Sequence, residues 1–157
     1  MAHMAETLRR AADHKGTAFI EILQNCVIFN DKVHEDYYGI KTRKDTLLYL
    51  HHGQPMLFGK TVEKGLVLDG FKFKQQETSQ GKDNVFVHDE TEPTGAVASM
   101  LSNLQHPDYP VPLGIFRAVQ RPAYHEMMHD QIAMARKANG ERDLSKLGKG
   151  GKTWTGS

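Results

Sequence analysis

The chain has 157 residues, 39% of them hydrophobic and 25% charged, a balance that suits one soluble globular domain and excludes disordered and membrane-spanning classes. Its 20 basic and 19 acidic side chains nearly cancel, leaving neither the basic footprint of a nucleic-acid binder nor a polybasic membrane patch. A single cysteine cannot close an internal disulfide, and no signal-peptide pattern opens the chain, so the expected setting is a reducing cytoplasm.

Residues 1–4 (MAHM) read as a cloning remnant, and His3 carries no weight in the functional reading. Residues 5–14 place Leu8, Ala11 and Ala12 at helical spacing among charged side chains, closed by Lys15-Gly16. The run TAFIEIL (17–23) follows at once. It is β-branched, aromatic and almost without polar interruption, which predicts a strand buried on both faces, as in a parallel sheet covered by helices. No partner strand precedes it, so the chain reads as beginning inside a fold. Exposed apolar faces there predict self-association, or refolding of the segment onto the C-terminal part.

Residues 31–53 are polar and aromatic-studded, a long connection with one short element at 46–50. Short strands are predicted at 54–59, around Asp69-Gly70 within 65–74 with Phe71 and Phe73 on one face, and at 85–89. Val97, Met100, Leu101 and Leu104 give a helix over 93–104, and proline-bounded 111–119 reads as a strand. A last helix opens at Arg121-Pro122 and stops at Asn139-Gly140. Residues 140–157 form a basic, glycine-rich tail.

His125-Glu126-Met127-Met128-His129 matches the helical pattern in which two histidines bind zinc and the glutamate acts as general base. A third ligand is missing from its expected places, which hold Ile132 and Ala135, while Glu141 lies beyond the helix stop. Tyr124, Met127, Met134 and Ala138 form a stripe that leaves both histidines on the other flank. The pattern therefore reads first as a solvated helix face, with a small zinc hydrolase as the lesser alternative. His51-His52 and His88-Asp89-Glu90 are weaker candidates, read as surface or structural groups. Cys26 by itself suits packing better than ligation.

A longer pattern changes the weight on Cys26. The stretch HKGTAFIEILQNCVIFND (14–31) resembles the β subunit of the 2-oxoacid:ferredoxin oxidoreductases, the 2-oxoglutarate type above all. So do HHGQPMLFG (51–59), VHDE (87–90), YPVPLGIFRAVQRPAYHE (109–126) and the closing KTWT. The resemblance covers nearly all of this chain but the second half of that subunit. It implies an α/β fold (α+β for this stretch taken alone), in which 5–31 end a thiamine diphosphate-binding domain and 32–139 form a small mixed C-terminal domain. It also implies an enzyme that, with an α subunit, turns a 2-oxo acid and CoA into an acyl-CoA and CO2 while reducing ferredoxin. Thiamine diphosphate, Mg2+ and a 4Fe-4S cluster serve the full complex. The other cluster cysteines and the Gly-Asp-Gly motif for the diphosphate are absent here, so Cys26 is a cluster ligand in the full-length subunit alone, and this stretch is expected to be inactive and cofactor-free. A free-standing interaction module that docks to a partner subunit is the alternative.

Overall fold

A computed structural model of the chain describes residues 2–140. The chain forms two compact units, Met1–Gln120 and Arg121–Ser157. Helices and strands are mixed, and both parallel and antiparallel pairing occur, as the α/β expectation requires.

Helix α1 spans Ala2–Asp13 and therefore takes in Ala2, His3 and Met4 as well as the expected turns. It ends where Gly16 adopts φ +122°, a conformation that side chains other than glycine rarely reach. The strand expected at 17–23 does not form: residues 17–25 have no regular structure. A strand is held by its neighbours, and among the described residues no sheet edge lies alongside it to supply ladder hydrogen bonds. Its side chains are open instead, with Phe19 90% and Ile22 59% exposed.

Two short helices, α2 (Glu35–Tyr38) and α3 (Arg43–Thr46), occupy the predicted connection and lead into strand β1 (Leu47–Tyr49). Strand β2 (Leu57–Phe58) pairs antiparallel with β3 (Lys64–Asp69), which pairs with β4 (Lys72–Glu77). Asp69 stands opposite Lys72, so Gly70 and Phe71 alone make the turn, and Gly70 takes φ +63° there. That register separates the two phenylalanines expected on one face. Phe73 points into the core, whereas Phe71 is 99% exposed at the turn.

Residues 85–89 run beside 53–56 without forming a ladder. They meet at one bridge, Pro55 to Val87, with bonds from Met56 N–H to Phe86 C=O and from His88 N–H to Gln54 C=O, both 2.9 Å, and from Gly53 N–H to His88 C=O at 2.8 Å. Helix α4 (Ala96–Ser102) is shorter than predicted because the Glu92 carboxylate takes the N–H groups of Thr94 and Gly95 into a turn, at 2.7 and 2.8 Å. Strand β5 is Val111–Leu113 and pairs parallel with β1. It stops short of the expected 119 at Gly114 (φ +134°), where a Cβ would stand 2.9 Å from the Leu50 carbonyl oxygen.

The core of this unit is made of Leu48, Leu50, Met56, Phe58, Leu66, Phe73, Val97, Leu101 and Leu104. The second unit contributes helix α5 (Tyr124–Asn139), which stops as expected before Gly140 at φ +66°. From Glu141 onward, the predicted tail and its KTWT lie outside the described residues. Among the described residues, no helix is long and apolar enough to cross a membrane.

Candidate functional site

Cys26 sits in a tight loop that its neighbours close. The Asn25 side chain donates to Asp31 Oδ1 at 2.9 Å and accepts the Lys32 N–H at 2.7 Å, while Asn30 N–H donates to the Cys26 carbonyl at 2.9 Å. The loop turns on Lys32, whose φ of +61° is uncommon for a residue with a side chain. Packing does not explain this thiol, because Cys26 is exposed. Hydrogen bonding from the backbone N–H groups of the turn that follows, Phe29 first and then Ile28, holds its pKa below the ordinary thiol value. Such a nest of N–H groups favours a thiolate, the form that is both nucleophile and ligand of soft metals.

A polar cluster lies elsewhere in the same unit. Glu90 is buried, and both guanidinium nitrogens of Arg10 on α1 bond its carboxylate, Nη1 at 3.0 Å from Oε2 and Nη2 on Oε1. Asp89 stays exposed and accepts the Thr91 hydroxyl and N–H, which with the nearby His52 hold its carboxyl below the usual range. His52 Nδ1 stands 3.6 Å from Asp89 Oδ1. His88 is buried to 1% exposure and bonds through Nε2 to the Ile115 carbonyl at 2.8 Å. In that tautomer Nδ1 is an acceptor, and it has no partner among the described residues. His88 thus ties the 85–90 segment to the strand region after β5, a structural role.

His51 turns the other way from His52, and its ring meets that of His3 at a centroid distance of 5.7 Å. His3 also packs edge-on against Tyr49 at 4.9 Å, and partial burial beside His51 lowers its pKa. The Arg10 pair was not legible from sequence, because its partner lies 80 positions away.

On α5, His125 and His129 are both exposed. The Glu126 carboxylate accepts the Ala123 N–H at 3.1 Å, capping the helix start instead of facing a metal position. Alanine has no side-chain oxygen to return the bond, so this is half of a capping box. Among the described residues, no group of three or more His, Cys, Asp or Glu side chains is arranged to hold a metal ion. A 4Fe-4S cluster needs several thiolates. Cys26 fits as one such ligand, since it is open and disposed to ionise, but this chain has no second cysteine to complete a site.

No family model matches the chain, and no solved structure matches it either. Among curated proteins, it is 38% identical over 157 residues to the 2-oxoglutarate oxidoreductase subunit KorB of Mycobacterium tuberculosis. The match takes in 97% of this chain and 42% of that protein, so the chain spans less than half the length of the relative it matches. Over nearly its whole length, then, this chain is similar to part of a 2-oxoglutarate oxidoreductase subunit.

Proposed function

We propose that this chain forms the C-terminal part of the β subunit of a 2-oxoacid:ferredoxin oxidoreductase acting on 2-oxoglutarate. The observation that carries the reading is 38% identity sustained along 97% of the chain, well beyond what a short shared motif would give. In the complete enzyme, a 2-oxo acid and CoA yield an acyl-CoA and CO2, and the two electrons released pass to ferredoxin. Thiamine diphosphate with Mg2+ supplies the decarboxylation chemistry, and a 4Fe-4S cluster carries the electrons. Residues 5–31 belong to the end of the thiamine diphosphate domain, and 32–139 form the C-terminal domain. The α subunit is the obligatory partner, and the complex works in the cytoplasm.

Within this assignment Cys26 is one of the cluster ligands. Its N–H nest supports the role, because hydrogen bonds to a ligand sulfur stabilise the thiolate and tune the potential of a bound cluster. The remaining thiolates come from polypeptide that this chain does not contain, so the chain alone is inactive.

The test is a reconstitution. The chain alone, and the full-length β subunit with its α subunit, are assayed for ferredoxin reduction that requires both 2-oxoglutarate and CoA. Turnover is expected from the complete complex and not from the chain. Cys26→Ser in the full-length subunit is expected to remove the cluster's visible absorbance together with activity. A complex that keeps its full cluster absorbance in that variant would exclude Cys26 as a ligand. One that turns over pyruvate but not 2-oxoglutarate would overturn the substrate.

A further inference from the structure

The two histidines of α5 have no role in the proposed oxidoreductase, yet the helix sets them as a pair. His125 and His129 stand four positions apart in an unbroken helix of 16 residues. Their Cα atoms are therefore about 6 Å apart along the axis and about 40° apart around it, which makes the side chains neighbours on one face. Both are exposed, so packing locks neither ring, and each can turn toward a shared ion.

The charges nearby favour a cation. Glu126 and Asp130 each follow one of the histidines, about 100° further round, and both are exposed. Their carboxylates offset the positive end of the helix dipole, which reaches His125 in the first turn. Arg136 lies seven positions beyond His129 on the same face, about 10 Å along the axis, where salt screens most of its repulsion.

We infer that His125 and His129 form a two-imidazole chelate for Zn2+, with water in the remaining positions. Imidazole nitrogen suits this ion, and bonds of about 2.0–2.1 Å can be shared by two rings one turn apart. In the helical hydrolase pattern the glutamate after the first histidine serves as base, but here Glu126 accepts the Ala123 N–H at 3.1 Å. The site thus binds the ion without hydrolytic chemistry. Two protein ligands are half a tetrahedral set, so the affinity falls in the micromolar range, well short of a closed structural zinc site. Because chelation needs the helical spacing, the bound ion also stabilises α5. None of this rests on the oxidoreductase assignment.

The experiment is a calorimetric titration of the full chain with Zn2+ in chelator-free buffer, paired with amide exchange over α5. Cys26→Ser serves as the parent protein, because an open thiol is itself a zinc ligand. One ion per chain is expected, with the amides of α5 slowed when it is bound. His129→Ala should weaken binding at least about tenfold, since the second ring no longer acts at high effective concentration. The deciding variant is His129→Ala with Met127→His. It keeps nine histidines in the chain but sets the second ring about 160° from His125, where no chelate can close. Met127 is 52% exposed and His129 is exposed too, so neither change should disturb the fold. The double variant is expected to bind as weakly as His129→Ala. If it binds as well as the parent, the histidine-rich surface takes up an adventitious ion only, and the inference is overturned. A parent chain without stoichiometric binding overturns it as well, and so does binding that leaves the α5 amides unprotected.

Discussion

At the scale of single residues, Cys26 and His88 exchange the places their neighbours suggest. Cys26 follows an apolar run and is open to solvent, while His88, at the head of the acidic pair Asp89-Glu90, is buried. Apolar neighbours bury a residue only where another element covers them, and the sequence around Cys26 carries no sign of whether that cover exists. The N–H nest was equally hidden, because it arises from the backbone turn over 26–30 and not from residue type. Its consequence can be measured. The sulfur gains hydrogen bonds in the folded state, so its pKa is depressed there and ordinary, near about 8.5, when unfolded. Thiolate therefore appears at lower pH in the folded chain. The pH midpoint of the iodoacetamide alkylation rate is expected to lie below that of the same chain in urea. Coincident midpoints would show that the nest does not act on the thiol.

At the scale of elements, legibility follows how local the determining contacts are. The β3–β4 hairpin was readable because a two-residue turn and its flanking apolar residues are neighbours in sequence. The strand expected at 17–23 does not form, and the one expected over 111–119 ends at Leu113, because a strand needs a partner that residue type cannot reveal. Helix α1 lies between these cases: its periodicity was plain, yet none of its residues is buried, so periodicity does not explain what holds it. The Arg10 to Glu90 pair is its clearest anchor, with side-chain exposures of 41% and 9%. Arg10→Ala would leave a nearly buried carboxylate without its cation. The cost is about 1–3 kcal/mol, less than for a fully buried pair because Arg10 is partly hydrated. A helix of this length is marginal by itself in water, so α1 should also lose helicity. Urea unfolding and amide exchange over α1 would read both effects. Glu90→Gln in the Arg10→Ala background should recover most of the stability, since the stranded charge is gone. A double variant no more stable than Arg10→Ala would mean that the carboxylate was never stranded.

At the scale of the whole molecule, the stability of the first unit is concentrated in a narrow stretch. Its core side chains run from Leu48 to Leu104, and the parallel β1–β5 pair closes the same region, whereas 15–25 contribute neither core nor ladder. Regions with few buried contacts and water-exposed backbone open with little free energy, and core strands open with the whole of it. In a dilute, monomeric sample the amides of β3, β4 and α4 should therefore exchange through global unfolding, and those of 17–25 almost as in an unfolded chain. Substitution follows the same division. Leu66 and Leu101 are fully buried, and either one changed to alanine leaves a cavity as well as lost apolar burial, about 2–5 kcal/mol. Met134 on α5 is 65% exposed, and Met134→Ala should stay within about 0.5 kcal/mol. Measured by urea midpoint at constant slope, comparable losses at Leu66 and Met134 would show that burial across this chain is shared far more evenly than the core residues imply.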